Sequence, residues 1–147
     1  MKIYIASDHG GVDLKTELIE YLEGEGYQVE NLGTDCRDSC DYPDKAVAVA
    51  EAVLNSPDPD ARGVVICGTG IGVSIAANKV KGIRAALLSD CYSARMARQH
   101  NNANVVTLGA RTVGPELAKE LLANYLKSEF EGGRHARRVD KLDNIMK

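Results

Sequence analysis

The chain has 147 residues, of which 44% are apolar and 27% are charged, and its formal net charge is -3. This length and composition are typical of one globular domain, here residues 1–147, and the acidic balance argues against a protein that binds nucleic acid or anionic membranes. Since no apolar run approaches the roughly 18 residues of a membrane helix, and the first run is too short for a signal peptide, we expect a soluble cytoplasmic protein.

Short apolar runs alternate with helical stripes along the chain. Asp44 and Asp90 are each placed to cap a helix. Strands that alternate with helices form a parallel sheet covered on both faces, so the pattern predicts an α/β fold with a five-stranded parallel sheet. We predict strands near 3–6, 28–32, 64–66, 83–88 and 105–108, helices near 14–22, 44–54, 73–79, 90–99 and 115–126, and a short helix in the tail 132–147.

Four cysteines occur, at positions 36, 40, 67 and 91. Without a secretory signal we expect free thiols, and the spacing of Cys36 and Cys40 does not fit a zinc finger. No metal site is therefore predicted. The sequence assigns no role to Cys36, Cys40 or Cys91.

Ligands of parallel α/β sheets bind at the carboxyl ends of the strands. His100 and Asn101 precede the fifth strand, which places them at the opposite end of the sheet. If His100 acts together with Cys67, it is therefore supplied by a second subunit. The segments that follow the strands at the carboxyl end are 7–11, 67–74, 89–90 and 109–111.

The segment 67–72, Cys-Gly-Thr-Gly-Ile-Gly, is the most informative of these. Alternate glycines let the backbone turn sharply, so successive N–H groups can point at one spot, and the following helix N-terminus adds positive potential. Such a nest stabilises a phosphate or a developing oxyanion. It also favours the thiolate of Cys67, which can then serve as a base or a nucleophile.

The residue pattern of this segment can be compared with three other kinds of loop. A dinucleotide fingerprint expects an acid near position 90, which Asp90 satisfies, but its third glycine position is Val73. A Cys-x5-Arg phosphatase loop is excluded because it needs arginine at position 73. A tight turn with a buried, inert cysteine remains an alternative.

Two further groups of polar residues can contact a ligand. Asp8 and His9 form a proton-transfer pair or a sugar contact, unless they only cap and solvate the turn. Arg134 and Arg138 are four residues apart, so on a helix they share one face and can clamp a dianion. The alternative is a solvated basic tail, in which we expect His135 to be solvated.

Six motifs run in order over nearly the whole chain. They are SDHGG at 7–11, DYPD at 41–44, CGTGIG at 67–72, RMARQHN at 95–101, LGAR at 108–111 and GGRHARRV at 132–139. Together they resemble ribose-5-phosphate isomerase B, in a family that includes the galactose-6-phosphate and allose-6-phosphate isomerases. The resemblance implies a metal-independent, cofactor-free isomerase of phosphorylated sugars, built as a Rossmann-like three-layer αβα sandwich and active as a homodimer that can pair into a tetramer.

The same resemblance implies roles for individual residues. Cys67 would move the proton between C1 and C2, and Thr69 and His100 would open the sugar ring, with His100 as the proton donor. The tail 132–147 would contribute to the site or to the dimer interface. The implied substrate contacts are Asp8, His9, Tyr42, Gly68, Gly70, Ile71, Gly72, Ser74, Asn101, Arg111, Arg134 and Arg138.

We therefore expect interconversion of ribose 5-phosphate and ribulose 5-phosphate through an enediolate. The alternatives are an isomerase of a six-carbon sugar phosphate such as allose 6-phosphate, a non-catalytic sugar-phosphate-binding module, and a dinucleotide-dependent oxidoreductase. Galactose-6-phosphate isomerases are built from two different chains, whereas every expected site residue occurs in this one chain. That favours a homo-oligomer.

Overall fold

A parallel sheet sets the position of every loop in the molecule. The computed structural model describes residues 1–145, so positions 146 and 147 of the predicted tail lie outside the described residues. In those residues the strands are β1 (Lys2–Ser7), β2 (Gln28–Asn31), β3 (Arg62–Cys67), β4 (Ala85–Leu87) and β5 (Val105–Gly109). The helices are α1 (Val12–Gly24), α2 (Tyr42–Leu54), α3 (Ile71–Asn78), α4 (Cys91–Gln99), α5 (Pro115–Leu126) and α6 (Arg134–Asp143), and one turn of 3₁₀ helix, His9–Gly11, precedes α1.

The strands lie in the order β2-β1-β3-β5-β4, and all neighbouring pairs are parallel. Helices α1, α4 and α5 bury their apolar side chains against one face, and α2 and α3 cover the other. The predicted α/β class and three-layer αβα sandwich are confirmed. None of the helices between residues 1 and 145 is both long and apolar enough to cross a membrane.

The central strand β3 shows how the two cores are divided. All six of its residues are buried. Successive side chains of a strand point to opposite faces, so Val64 and Ile66 join the core with α1 and α5, whereas Val65 and Cys67 join the core with α2 and α3. Cys67 therefore ends the strand on the α2–α3 side, with 5% of its surface exposed.

Several predicted boundaries shift by a residue or two. Asp90 caps α4 as predicted, since its Oδ1 accepts from the Ser93 amide at 2.7 Å. Asp44 does not cap α2, because that helix begins at Tyr42 and Asp44 lies in its first turn. Pro43 permits the earlier start, since a residue in the first turn needs no N–H donor. The four cysteines are free thiols, as predicted.

Lys15 on α1 is fully buried, which is unusual for a lysine. Its Nζ donates to Asn31 Oδ1 at 2.8 Å, to the Thr34 carbonyl at 2.6 Å and to Asp35 Oδ1 at 2.6 Å. The bond from Lys15 is the main reason that the pKa of the Asp35 carboxyl lies below its usual range. Because a buried ammonium must have its donors satisfied, these acceptors fix the start of the loop from β2 to α2.

Gly63 lets α2 lie directly on the centre of the sheet. A Cβ at this position would lie 2.5 Å from Val49 Cγ1 and 3.1 Å from Val53 Cγ2 and Val105 Cγ2. We expect Gly63→Ala to lower the free energy of unfolding by about 1–3 kcal/mol, since the core must shift to admit the methyl group. Urea denaturation measures the change. Gly24→Ala is the control, because a Cβ there meets nothing within 4 Å, and equal losses in both variants would contradict this account.

Candidate active site

The loop after β3 is held to the turn after β5 by its carbonyl oxygens. The Cys67 carbonyl accepts from the Ala110 amide at 2.8 Å, and the Gly68 carbonyl accepts from the Arg111 amide at 2.9 Å. The Gly70 carbonyl accepts from Thr107 Oγ1 at 2.9 Å. In a trans peptide the N–H points opposite to the preceding carbonyl. The amides of residues 68, 69 and 71 therefore point away from β5.

Cys67 lies within this array of amides. Its Sγ accepts from the Gly70 amide at 3.1 Å. Gly70 has φ 78°, and a Cβ on it would lie 2.5 Å from Leu87 Cδ1, so the turn requires glycine. Helix α3 begins at Ile71, earlier than predicted, and its N-terminus adds positive potential next to the sulfur. This arrangement can stabilise both a thiolate and a nearby oxyanion.

The loop after β1 lies beside the loop after β3. The Asp8 amide donates to the Ile66 carbonyl at 3.0 Å, and the Asp8 Oδ1 accepts from the Gly10 amide at 2.9 Å. His9 Nδ1 accepts from the Cys40 amide at 3.3 Å, which fixes its ring against the β2–α2 loop. Asp8 thus both caps the turn and lines the edge of the sheet, so capping and a ligand contact are compatible.

Tyr42 and Arg111 lie on either side of the glycine loop. A Cβ on Gly72 would lie 2.4 Å from the Tyr42 ring, and one on Gly68 would lie 3.1 Å from Arg111 Nη1. Thr69 is exposed at the tip, and its Oγ1 accepts from the Ile71 amide at 3.3 Å. The structure therefore brings together, at the carboxyl edge of the sheet, the predicted residues Asp8, His9, Tyr42, Cys67, Gly68, Thr69, Gly70, Ile71, Gly72 and Arg111. Ser74 lies one turn into α3, and its Oγ donates to the Ile71 carbonyl at 2.8 Å.

The other predicted residues lie elsewhere on the molecule. His100 ends α4, and the turn that follows is held at the amino ends of the strands, where the Asn104 carbonyl accepts from the Gly63 amide at 2.9 Å. A strand rises about 3.3 Å per residue, so Gly63, where this turn is bound, and Cys67 are separated by roughly 13 Å along β3. One chain does not unite His100 and Asn101 with Cys67. Arg134 and Arg138 are exposed on α6, and neither makes an ion pair with the rest of the described chain.

His100 stacks on His135, with ring centroids 4.0 Å apart and planes 10° apart. Only 8% of His135 is exposed, so the expectation that it is solvated was wrong. The reason is that α6 folds back against the end of α4, where the Glu131 amide donates to the Gln99 carbonyl at 3.0 Å. Glu131 Oε1 lies 3.5 Å from His100 Nε2 and 3.7 Å from His135 Nε2.

The cluster of His100, Glu131 and His135 also offers three metal-ligand atoms within 4.8 Å of one another. A metal lies close to the plane of each imidazole that binds it. Two parallel stacked rings cannot both meet that condition for one ion unless a ring turns, so the present geometry does not suit a metal bound by both histidines. Glu131 was not singled out from the sequence, although its i,i+4 spacing from His135 is the signal that could have found it.

The matches with known proteins cover nearly the whole chain. Residues 3–142 match the family described as Ribose/Galactose Isomerase. The chain belongs to this family. The predicted resemblance is confirmed, and the chain is an isomerase.

Three members of the family illustrate the similarity. The solved ribose-5-phosphate isomerase B of Clostridium thermocellum is 54% identical, with a TM-score of 0.93 over 97% of this chain and 95% of its own. That of Mycoplasma genitalium, solved with bound ribulose-5-phosphate, is 45% identical, with a TM-score of 0.90 over 97% of this chain and 93% of its own. The D-erythrulose-4-phosphate isomerase of Pectobacterium atrosepticum is 46% identical over 97% of this chain and 93% of its own.

The histidine stack makes stability depend on pH. Burial, and then the charges of His100 and Arg134, lower the pKa of His135. The unfolded chain therefore binds this proton at higher pH than the folded chain, so stability falls as pH drops below about 6.5. We expect the urea midpoint of the parent to fall more between pH 7.5 and pH 5.5 than that of His135→Phe, which keeps a ring but does not titrate. Equal falls would contradict this assignment.

Proposed function

We propose that this isomerase interconverts ribose 5-phosphate and ribulose 5-phosphate through an enediolate, with Cys67 as the base. The observation that carries the proposal is the buried Cys67 Sγ within the amides of the loop after β3. A proton next to a carbonyl is only weakly acidic, so its removal needs a positioned base and donors for the oxygen that gains charge. This loop supplies both on one turn.

The proposed steps move one proton between two carbons. After Thr69 and His100 assist ring opening, the thiolate takes the proton from C2 and becomes a thiol. The electron pair of the broken C2–H bond forms the C1=C2 bond, and the carbonyl oxygen O1 becomes the enediolate oxygen. The proton on O2 then passes to O1, and the Cys67 thiol returns its proton to C1 as C2 becomes the carbonyl carbon of the ketose. Within the loop 68–72, the amides that point away from β5 would hold the oxyanion, and Asp8, His9, Tyr42 and Asn101 would contact the sugar. Ser74 would support the loop through its bond to the Ile71 carbonyl.

The phosphate would be bound by the exposed Arg134 and Arg138, aided by His9 and Arg111. Unpaired guanidiniums on one helix face suit a dianion, because each can donate two parallel hydrogen bonds. Binding far from the reacting carbons would orient the sugar. In this proposal the tail 132–147 contributes to the site, within a single domain that spans 1–147.

A second copy of the chain would complete each site. His100 and Cys67 lie at opposite edges of one sheet, so His100, Asn101 and the α6 arginines would come from the partner. Apolar side chains beside the glycine loop support such a contact, since Ile71 is 51% exposed and Ile75 is 55% exposed. Tyr42 and Leu87, each 41% exposed, extend the same surface. A homodimer is the smallest assembly that fits, and dimers can pair further.

The first test follows ribulose 5-phosphate formed from ribose 5-phosphate with EDTA present. We expect turnover by the parent, and a loss of about a hundredfold or more in folded Cys67→Ser. Cys36→Ser, at an exposed cysteine to which no role is assigned, is the matched control and should keep full activity. Inhibition by EDTA that one metal reverses would overturn the metal-free mechanism. If the parent is inactive, allose and galactose 6-phosphates are tried next, and binding without turnover would indicate a binding module.

Shared sites are tested by mixing two inactive variants. Cys67→Ala and His100→Asn are unfolded and refolded together in equal amounts. Half of the dimers are then mixed, and one of their two sites has both residues, so we expect about a quarter of the parent activity. A mixture of Cys67→Ala and Cys67→Ser should stay inactive. Mixed dimers can be isolated by placing a different affinity tag on each variant. If these dimers recover no isomerase activity, the two copies do not share the active sites.

A further inference from the structure

Arg84, just before β4, is bonded to two distant parts of the chain at once. Its Nε donates to the Asn101 and Asn102 carbonyls, each at 3.2 Å, and its Nη2 donates to the Asn102 carbonyl at 3.0 Å. Its Nη1 donates to both carboxylate oxygens of Asp143, at 2.8 and 2.9 Å. The side chain is only 19% exposed, so water competes weakly for these bonds.

The turn that Arg84 holds is the one that carries His100 and Asn101. Asn102 has φ 47°, a left-handed conformation that few residues other than glycine adopt. Arg98 donates from Nη1 to the next carbonyl, that of Ala103, at 2.7 Å. The backbone of Arg84 also binds this turn, since its amide donates to Asn104 Oδ1 at 2.8 Å. The unusual turn is thus fixed by buried donors.

Asp143, the other partner of Arg84, is the last residue of α6. That helix carries Arg134 and Arg138, and its first turn is fixed to the same turn through the stack of His135 on His100. The helix is therefore attached at both ends to one turn. Arg84 makes the attachment at the far end.

We propose that Arg84 is a positioning residue that holds the proton donor and the phosphate-binding helix as one rigid unit. The inference rests on the proposed function, which assigns those roles to His100 and to the α6 arginines. The planar guanidinium is essential to this role, because it donates to the turn along one edge and to the carboxylate along another. The compact ammonium of lysine cannot meet both sets of acceptors.

Two variants separate the two attachments. Arg84→Lys releases both, so we expect kcat with ribose 5-phosphate to fall about tenfold or more and KM to rise as well. Asp143→Ala releases only helix α6. We expect KM to rise by up to about fivefold, which is the effect of losing a partly exposed ion pair, and kcat to change less than about twofold. Rates are corrected for the folded fraction measured by circular dichroism. Asp143 is exposed, so this variant should fold even if Arg84→Lys does not.

The matched control is Glu30→Gln, which breaks the Lys2–Glu30 ion pair (2.8 Å) between β1 and β2. It should leave kcat and KM unchanged. If folded Arg84→Lys and Asp143→Ala both keep the kcat and KM of the parent and only melt at a lower temperature, the inference is overturned. Arg84 would then have a structural role alone. The variant His100→Asn tests the proposed function separately from the role of Arg84. If His100→Asn keeps full activity, His100 is not the proton donor, and the proposed function fails at that point whatever the Arg84 variants do.

Discussion

The common direction of the strands is the constraint on which the site depends. In a parallel sheet all carboxyl ends meet at one edge, so the loops that carry Asp8, Cys67 and Arg111 come together without further design. The same rule sends the turn with His100 to the other edge, roughly 13 Å away from Cys67 along β3. Under the proposed function, one chain therefore builds two half-sites that face different ways, and a second copy becomes a chemical requirement.

In the half-site around Cys67, the direction of the backbone amides depends on which groups bind the carbonyl oxygens of the loop after β3. Three carbonyls of the loop after β3 are fixed to β5 and its turn, and Thr107 holds the last of them from a fully buried position. Their partner amides are thereby aimed before any ligand arrives, and donors aligned in advance need little reorganisation when charge develops. Gly70 is required because its φ and its contact with Leu87 exclude a side chain. The glycine pattern read from the sequence thus has a steric cause.

The sequence predicts part of the fold and of the candidate site, and there are physical reasons why it does not predict the remainder. The strands and the glycine loop follow from local patterns, because burial on both faces leaves apolar runs and tight turns require glycine. The start of α3 was misplaced because Gly72, usually a helix breaker, is accommodated in the first turn against the Tyr42 ring. The burial of His135 and of Lys15 depends on contacts between distant segments. No periodicity within the tail shows that it folds back onto α4.

The division into half-sites also bears on which sugar such a site would take. In the proposed enzyme, the base and the phosphate-binding arginines belong to different copies, so the distance from Cys67 to Arg134 is set by how the copies dock. A small change at the apolar surface, for example at Ile75 or Leu87, would alter that distance without touching a predicted site residue. Relatives of similar identity to this chain are named for four-carbon and five-carbon sugar phosphates. The sugar phosphates for which members of this family are named therefore differ in length.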